Sequence, residues 1–179
     1  MTPLFVPTNM CLRPIEPTDH SFLVELHNDP EVLKNLTNHI PITMEQHLSW
    51  FNNTSQDSKQ LRMMFCVDDR PTGFTKFYNI DTANKNCVLG ADLHKNWRGV
   101  GLAKYMWTLM LKECFDVRKL HRVSLTTASY NAIAINVYNN LGFCKEGFLI
   151  DSLFRDEKYH HQICMYMLRE MWESPTLWK

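Results

Sequence analysis

An apolar strand pattern that runs into two glycines and then into a helix constrains this chain more than any other feature. Residues 87–93 form the apolar run, and Arg98-Gly99-Val100-Gly101 opens the way to apolar residues at Leu102, Tyr105, Met106, Leu109, Met110 and Phe115. That spacing predicts a helix over residues 101–115. Glycine permits positive φ and leaves no Cβ in a ligand's path. A loop of this kind at a helix start gathers free N–H groups where the helix dipole favours negative charge. The backbone of Arg98, Gly99, Val100, Gly101, Leu102 and Ala103 therefore reads as a cradle for phosphate or pyrophosphate, and Arg98 adds a positive charge. Such junctions also serve packing alone, so the loop needs a second signal elsewhere in the chain.

The 179 residues, 45% of them hydrophobic, suit one domain over 1–179, with 173–179 as a tail. Nineteen basic and nineteen acidic residues leave a net charge of zero, which offers no basic footprint for nucleic acid. No apolar run approaches the ~20 residues of a membrane span. Residues 1–7 lack the basic and apolar regions of a secretory signal, so a cytoplasmic location is expected. None of the six cysteines forms a Cys-x-x-Cys pair, and reduced, buried thiols are the expectation. His160 and His161 lie near Cys164 without a second ligand cluster, so no metal site is expected.

In chain order, residues 9–14 read as a first strand ended by Pro14 and Pro17. Thr18 or Asp19 can cap a helix carrying Phe22, Leu23 and Leu26. Asn28-Asp29-Pro30 opens a short helix through Leu36, and Thr43-Met44-Glu45-Gln46 is a capping box for a third helix. Three short helices of this kind suit a cap over one end of a sheet. Strands follow at 63–67 and 73–80, joined by Asp- and Pro-rich turns that favour an antiparallel meander. Beyond the long helix come a strand at 120–128, a helix at 132–141 stopped by Gly142, and a hairpin of strands at 148–154 and 159–168. Met171, Trp172 and Trp178 fall in the tail. The fold class is α/β, with a mixed, mostly antiparallel sheet of about seven strands flanked by helices.

Residues 89–103 resemble the acetyl-CoA-binding motif of the GNAT superfamily of N-acetyltransferases, (Gln/Arg)-x-x-Gly-x-(Gly/Ala) after a strand. The first position falls on Asn96 and the glycines on Gly99 and Gly101. Residues 131–143 are similar to a second family signature, with Asn131, Ala134, Tyr138, Gly142 and Phe143 in order. Two separated motifs in the right order supply the second signal. The resemblance implies a GNAT-like domain, with acetyl-CoA as co-substrate and no metal. Ala91, Asp92 and Leu93 would then lend backbone groups to the pantetheine arm, the loop amides would hold the pyrophosphate, and Asn131 would contact the cofactor. An acceptor amine would attack the thioester directly in a ternary complex, with an N–H beside a strand bulge steadying the oxyanion.

Tyr138 is the candidate acid, since a phenol of pKa about 10 can protonate a departing thiolate. Its other reading is a helix tyrosine packed on the sheet. Family members often carry a Glu near the start of the strand entering the loop, where this chain has Val88-Leu89-Gly90. Asp92 and His94, sharing one face of an alternating strand, become the candidate proton acceptors, with Asp81 behind them. His47, Trp50, Phe77 and Tyr78 are candidates to line the acceptor site. The early helices look most like acetyltransferases of amino-sugar nucleotides, of the pseudaminic-acid-pathway type. A small-molecule amine on a nucleotide-linked sugar is thus the expected acceptor. Protein N-termini, including those of ribosomal proteins, and polyamines are alternatives, as is a CoA-binding module without turnover. A homodimer stays open.

Overall fold

The computed structural model describes residues 9–174. Residues 1–7 and the tail beyond 174, on which the readings of a missing signal and of Trp178 fall, lie outside them. Seven strands form a single sheet in the order β1-β2-β3-β4-β5-β7-β6. They are β1 (Met10–Pro14), β2 (Leu61–Val67), β3 (Arg70–Asp81), β4 (Asn86–Leu93), β5 (Arg122–Ala128), β6 (Cys144–Arg155) and β7 (Lys158–Leu168). Every neighbouring pair is antiparallel except β4 with β5. The helices are α1 (His20–Asn28), α2 (Pro30–Leu33), α3 (Met44–Thr54), α4 (Leu102–Lys112), α5 (Ala132–Leu141) and α6 (Arg169–Glu173).

Strand register sorts the side chains between two faces, because a strand alternates with period two. Phe77 lies opposite Leu89, and both join the main core with Phe65, Met106, Phe115 and Leu125 under α4 and α5. Phe74 opposite Asp92, and Lys76 opposite Gly90, turn to the other face. There Phe74 meets a second cluster of Leu23, Met64 and Cys66, brought by α1. The early helices thus cover a face of the first strands, not an end of the sheet. Their apolar residues Phe22 and Leu23 need a flat partner surface, which alternate residues of β2 and β3 provide. Arg13 of β1 grips Asp19, just before α1, through two bonds of 2.6 and 2.8 Å.

The expected capping box is present: Thr43 Oγ1 accepts from the Gln46 N–H, and the Gln46 side chain accepts from the Thr43 N–H. Other boundaries move for local reasons. Helix α2 stops at Leu33, because the N–H groups of Asn35 and Leu36 reach back three residues instead of four. Strand β6 begins at Cys144, where the polar Lys145 and Glu146 of a sheet edge conceal the strand pattern. Met171 and Trp172 belong to α6; Met171 is buried and Trp172 lies against Phe115. The expected bulge beside the glycine loop is missing. Register between β3 and β4 runs unbroken from Gly73–Leu93 to Tyr78–Val88, and shifts only between Tyr78 and Asp81.

Gly73 lets the two strands close at the loop end. A Cβ there would stand 2.8 Å from the Asp92 carbonyl oxygen and 3.1 Å from Met106 Sδ. Gly73→Ala should therefore destabilise the fold by about 1–3 kcal/mol in urea unfolding, as overpacking does. Between α1 and α3, His47 is buried and its Nε2 is 3.0 Å from His20 Nδ1. Burial, then the neighbouring His20 and His27, lowers its pKa below the ordinary 6.5. The unfolded chain then binds a proton that the folded chain refuses. This contribution is complete above about pH 6.5 and is lost as pH falls through the lower folded value. His47→Gln should flatten that slope of unfolding free energy between about pH 6.5 and 5.

Candidate active site

Strands β4 and β5 pair over three rungs only, Asn86–Arg122, Cys87–Val123 and Val88–Ser124. Beyond them β4 stays with β3 up to Leu93, and β5 stays with β7 up to Ala128. A fork opens from residues 89 and 125 onward. On the fork side of β4, alternate N–H and C=O groups around Ala91, Asp92 and Leu93 lack a strand partner, as an extended ligand arm requires.

The glycine loop sits where β4 leaves the sheet. A short 3-10 turn, Lys95–Trp97, precedes it, and Gly101 is the N-cap of α4 with φ of 84°. Gly99 also has positive φ, 77°, and a Cβ added at either glycine would meet nothing within 4 Å. Among the described residues, the N–H groups of Gly99, Val100, Gly101, Leu102 and Ala103 have no acceptor. Five backbone donors without a protein acceptor, at and just before a helix N-terminus, suit a pyrophosphate. The Arg98 side chain is employed differently from the expectation. Its Nε donates to the Leu93 carbonyl at 2.8 Å, and its guanidinium holds the Asp29 carboxylate at 3.2 and 3.4 Å. Asp29 also caps α2. Arg98 is a strut between the loop and the early helices.

Across the fork, α5 starts at Asn131, whose side chain accepts from the Ala134 N–H at 3.2 Å. It ends in a paired C-terminal motif: the Phe143 N–H returns to Tyr138 O at 3.0 Å and the Gly142 N–H to Asn139 O at 3.1 Å, with Gly142 at φ of 95°. The ring of Phe143 lies 5.9 Å from that of Tyr138, and Trp107 stands edge-on at 4.8 Å. Tyr138 and Gly142-Phe143 are one local unit, which explains their fixed spacing. The two readings of Tyr138 coexist, for it is packed, yet its hydroxyl bonds to no described residue. Burial, and then the negative charge of Asp92, pushes that hydroxyl above its ordinary value, so it stays protonated at neutral pH.

Asp92 and His94 are not brought together as a pair. Asp92 Oδ2 accepts from Lys76 Nζ at 2.6 Å, with side-chain exposures of 19% and 12%. Burial alone would lower the Lys76 pKa, but Asp92 and the Tyr78 hydroxyl outweigh it and hold the ammonium above its ordinary value. His94 lies past the end of β4; its Nε2 faces Glu25 Oε1 at 3.2 Å and its Nδ1 accepts from the Asn96 N–H at 3.4 Å. Asp81 is at the far end of β3, holding Asn84 in a turn. Phe77 is fully buried in the core and cannot line an acceptor site. His47 is likewise buried, against His20 and Phe51. Trp50 remains partly exposed, with the Arg62 guanidinium 4.7 Å above its ring, and Tyr78 lies beside Lys76 over Gly90. Among the described residues no cluster of His, Cys, Asp or Glu suits a metal ion.

The acetyltransferase (GNAT) domain family matches residues 9–144. The chain belongs to that family. It is an acetyl-CoA-dependent N-acetyltransferase of the GNAT type. It is 28% identical to the SPbeta prophage-derived uncharacterized N-acetyltransferase YokL of Bacillus subtilis, over 92% of this chain and 93% of that one. It is 23% identical to spermidine N(1)-acetyltransferase of Escherichia coli, over 92% and 90%. A crystal structure of spermidine N-acetyltransferase from Vibrio cholerae, in complex with CoA and spermine, superposes with a TM-score of 0.86 at 21% identity, covering 90% of this chain and 96% of that one.

Loop geometry also corrects the placement of the GNAT motif. Taken as Arg98-x-x-Gly101-x-Ala103, the pattern is met without departure, and its central glycine becomes the left-handed residue that caps α4. Sequence reading missed Lys76, Glu25 and Asp29, whose partners are distant in the chain. Only the alternation of β3, which puts Lys76 between Phe74 and Tyr78, hinted at the first. Tyr138→Phe should lower kcat by about 10²-fold, the scale of a lost acid, while acetyl-CoA affinity measured by calorimetry stays near wild type. Unchanged turnover would remove Tyr138 from the chemistry.

Proposed function

We propose that this GNAT enzyme acetylates a small aliphatic polyamine, and that Tyr138 and Asp92 handle the protons. The observation that supports the reading is that Asp92 lies on β4 beyond its last rung with β5, and that Tyr138 stands near enough to feel its charge. Asp92 shares the α1 face of the sheet with Phe74, whereas Tyr138 comes from α5 on the opposite face. Acetyl-CoA, when bound, supplies a thioester carbonyl for attack and a thiolate to depart.

The acceptor arrives as an ammonium. Asp92 takes one proton from its nitrogen, directly or through a water, at the carboxylate oxygen that Lys76 leaves free. The freed amine forms the new C–N bond as the C–S bond breaks. Tyr138 keeps its proton at neutral pH and donates it toward the sulfur as negative charge builds there. Over the cycle the nitrogen loses two protons: the first passes through Asp92 to solvent, and the second, released as the amide forms, replaces the proton that Tyr138 gave to the thiolate. Unpaired N–H groups on the fork edge of β4 are the oxyanion donors in this scheme, with no bulge required.

Two features support a polyamine over the nucleotide-linked amino sugar. Spermidine acetyltransferases align with nearly the whole chain. Of the four residues expected to line the acceptor site, Phe77 and His47 are buried and the Trp50 ring is partly covered by Arg62. That leaves little flat surface for a sugar or a base to stack upon.

The test is CoA release from acetyl-CoA with spermidine, spermine, UDP-linked amino sugars and a panel of N-terminal peptides. Spermidine or spermine should show a kcat/KM at least about tenfold above the other acceptors, a difference of about 1.4 kcal/mol in transition-state binding. Turnover confined to amino sugars or peptides would overturn the acceptor. Acetyl-CoA binding with no turnover of any amine would overturn the mechanism.

A further inference from the structure

We infer that Lys76 is a positioning residue of this enzyme, holding Asp92 at the mouth of the fork so that one carboxylate oxygen faces the acceptor amine. The inference rests on the preceding reading of Asp92 as proton acceptor.

Lys76 is a lysine on the inner part of a sheet face, and lysine is rarely buried unless paired. Its ammonium makes a 2.6 Å bond to Asp92 Oδ2 and lies 5.5 Å from the centre of the Phe74 ring. A largely buried ion pair such as this one adds little stability, because desolvation of the charges offsets much of their attraction. This one sits at the point where β4 and β5 part, not deep in the core.

Its surroundings are built for it. Lys76 lies directly opposite Gly90, and Phe74 directly opposite Asp92, so Lys76 reaches diagonally across one rung. Gly90 lies beneath both side chains: a Cβ there would touch Tyr78 Cε2 at 3.4 Å and Lys76 Cε at 3.5 Å, ordinary contact, so that only a side chain longer than alanine's would displace the lysine. A glutamate near the strand start, expected from the family resemblance, is replaced here by Val88-Leu89-Gly90. The carboxylate instead stands two residues beyond Gly90 and is anchored from β3. Among the described residues, Asp92 Oδ1 has no partner. In the proton step, an acceptor N–H bond breaks and an Oδ1–H bond forms; Lys76 keeps its own protons throughout, and the carboxyl then returns its proton to water.

Four variants test the role: Lys76→Met, Lys76→Arg, Asp92→Asn and the double variant Lys76→Met/Asp92→Asn. Each is measured for kcat and KM with spermidine and, separately, for acetyl-CoA affinity by calorimetry. Lys76→Met should lose on the order of 10²-fold in kcat, the effect of a misplaced reacting group, and keep acetyl-CoA affinity within about twofold. Lys76→Arg, which preserves the charge and a donor, should stay within about tenfold of wild type in kcat. The double variant should be no slower than Asp92→Asn, because the two residues act as one unit. Lys76→Met with wild-type kcat and KM would overturn the inference, as would losses that multiply in the double variant. If Lys76→Met loses acetyl-CoA affinity through misfolding, Lys76→Arg decides. With intact acetyl-CoA affinity, a Lys76→Arg as slow as Asp92→Asn overturns the role, and one near wild type upholds it. Wild-type protein that binds acetyl-CoA and acetylates no amine would overturn the proposed function, and the role of Lys76 with it. Wild-type turnover matched by Lys76→Met would overturn Lys76 alone.

Discussion

The structure depends on β4 being held along only one edge. Three rungs of parallel pairing with β5 start the two strands together, and from residue 89 onward nothing in the sheet satisfies the inner edge of β4. An unsatisfied backbone edge inside a protein costs free energy unless a ligand or water meets it. The fork is therefore the place where we propose that an extended ligand arm completes the edge of β4. Its geometry persists because β3 grips the outer edge without a break, and because Gly73 allows the two strands and Met106 to close tightly there.

Each neighbouring element holds one functional group to that opening. The left-handed glycines turn the chain into α4 and leave five N–H groups there without a protein acceptor among the described residues. The capping bonds at the two ends of α5 fix Asn131 and Tyr138, and Trp107 from α4 packs edge-on against the tyrosine ring. On the other face, α1 and α3 cover the early strands but leave Lys76, Asp92 and Tyr78 beside the fork. Arg98 joins the two sides, since it bonds both to Leu93 at the end of β4 and to Asp29 at the start of α2. The donor loop and the helices expected to shape the acceptor site are thus mechanically linked.

Charge is placed with equal economy. Burial, and then the Asp92 charge, raises the proton affinity of the Tyr138 hydroxyl, while Lys76 holds Asp92 itself. His94, which alternation in the strand had associated with Asp92, is drawn to Glu25 because β4 has already ended. A pairing inferred from period-two spacing holds only as long as the strand lasts.

The glycine loop, the capping box of α3, the Asn131 cap and the Gly142 stop were legible in the sequence because each is decided by residues within a few positions of one another. So was the α/β class, from the order of periodic segments. The family motif was placed on Asn96 because two glycines can each serve as its centre; the sequence itself fits without departure from Arg98, and the backbone agrees by making Gly101 the cap of α4. Phe77 and Tyr78 are both aromatic neighbours in one strand, and the sequence cannot say which faces the core; pairing with Leu89 sends Phe77 inward. Lys76 with Asp92, and Arg98 with Asp29, join residues far apart in the chain, so strand register and helix packing alone could bring them together. By itself the sequence determined the loop to which donor binding is assigned in our proposal, since backbone amides at a helix start need only local chemistry. The tertiary structure decided that Lys76 meets Asp92, the pair to which we assign the proton step, since that requires charges gathered from separate strands.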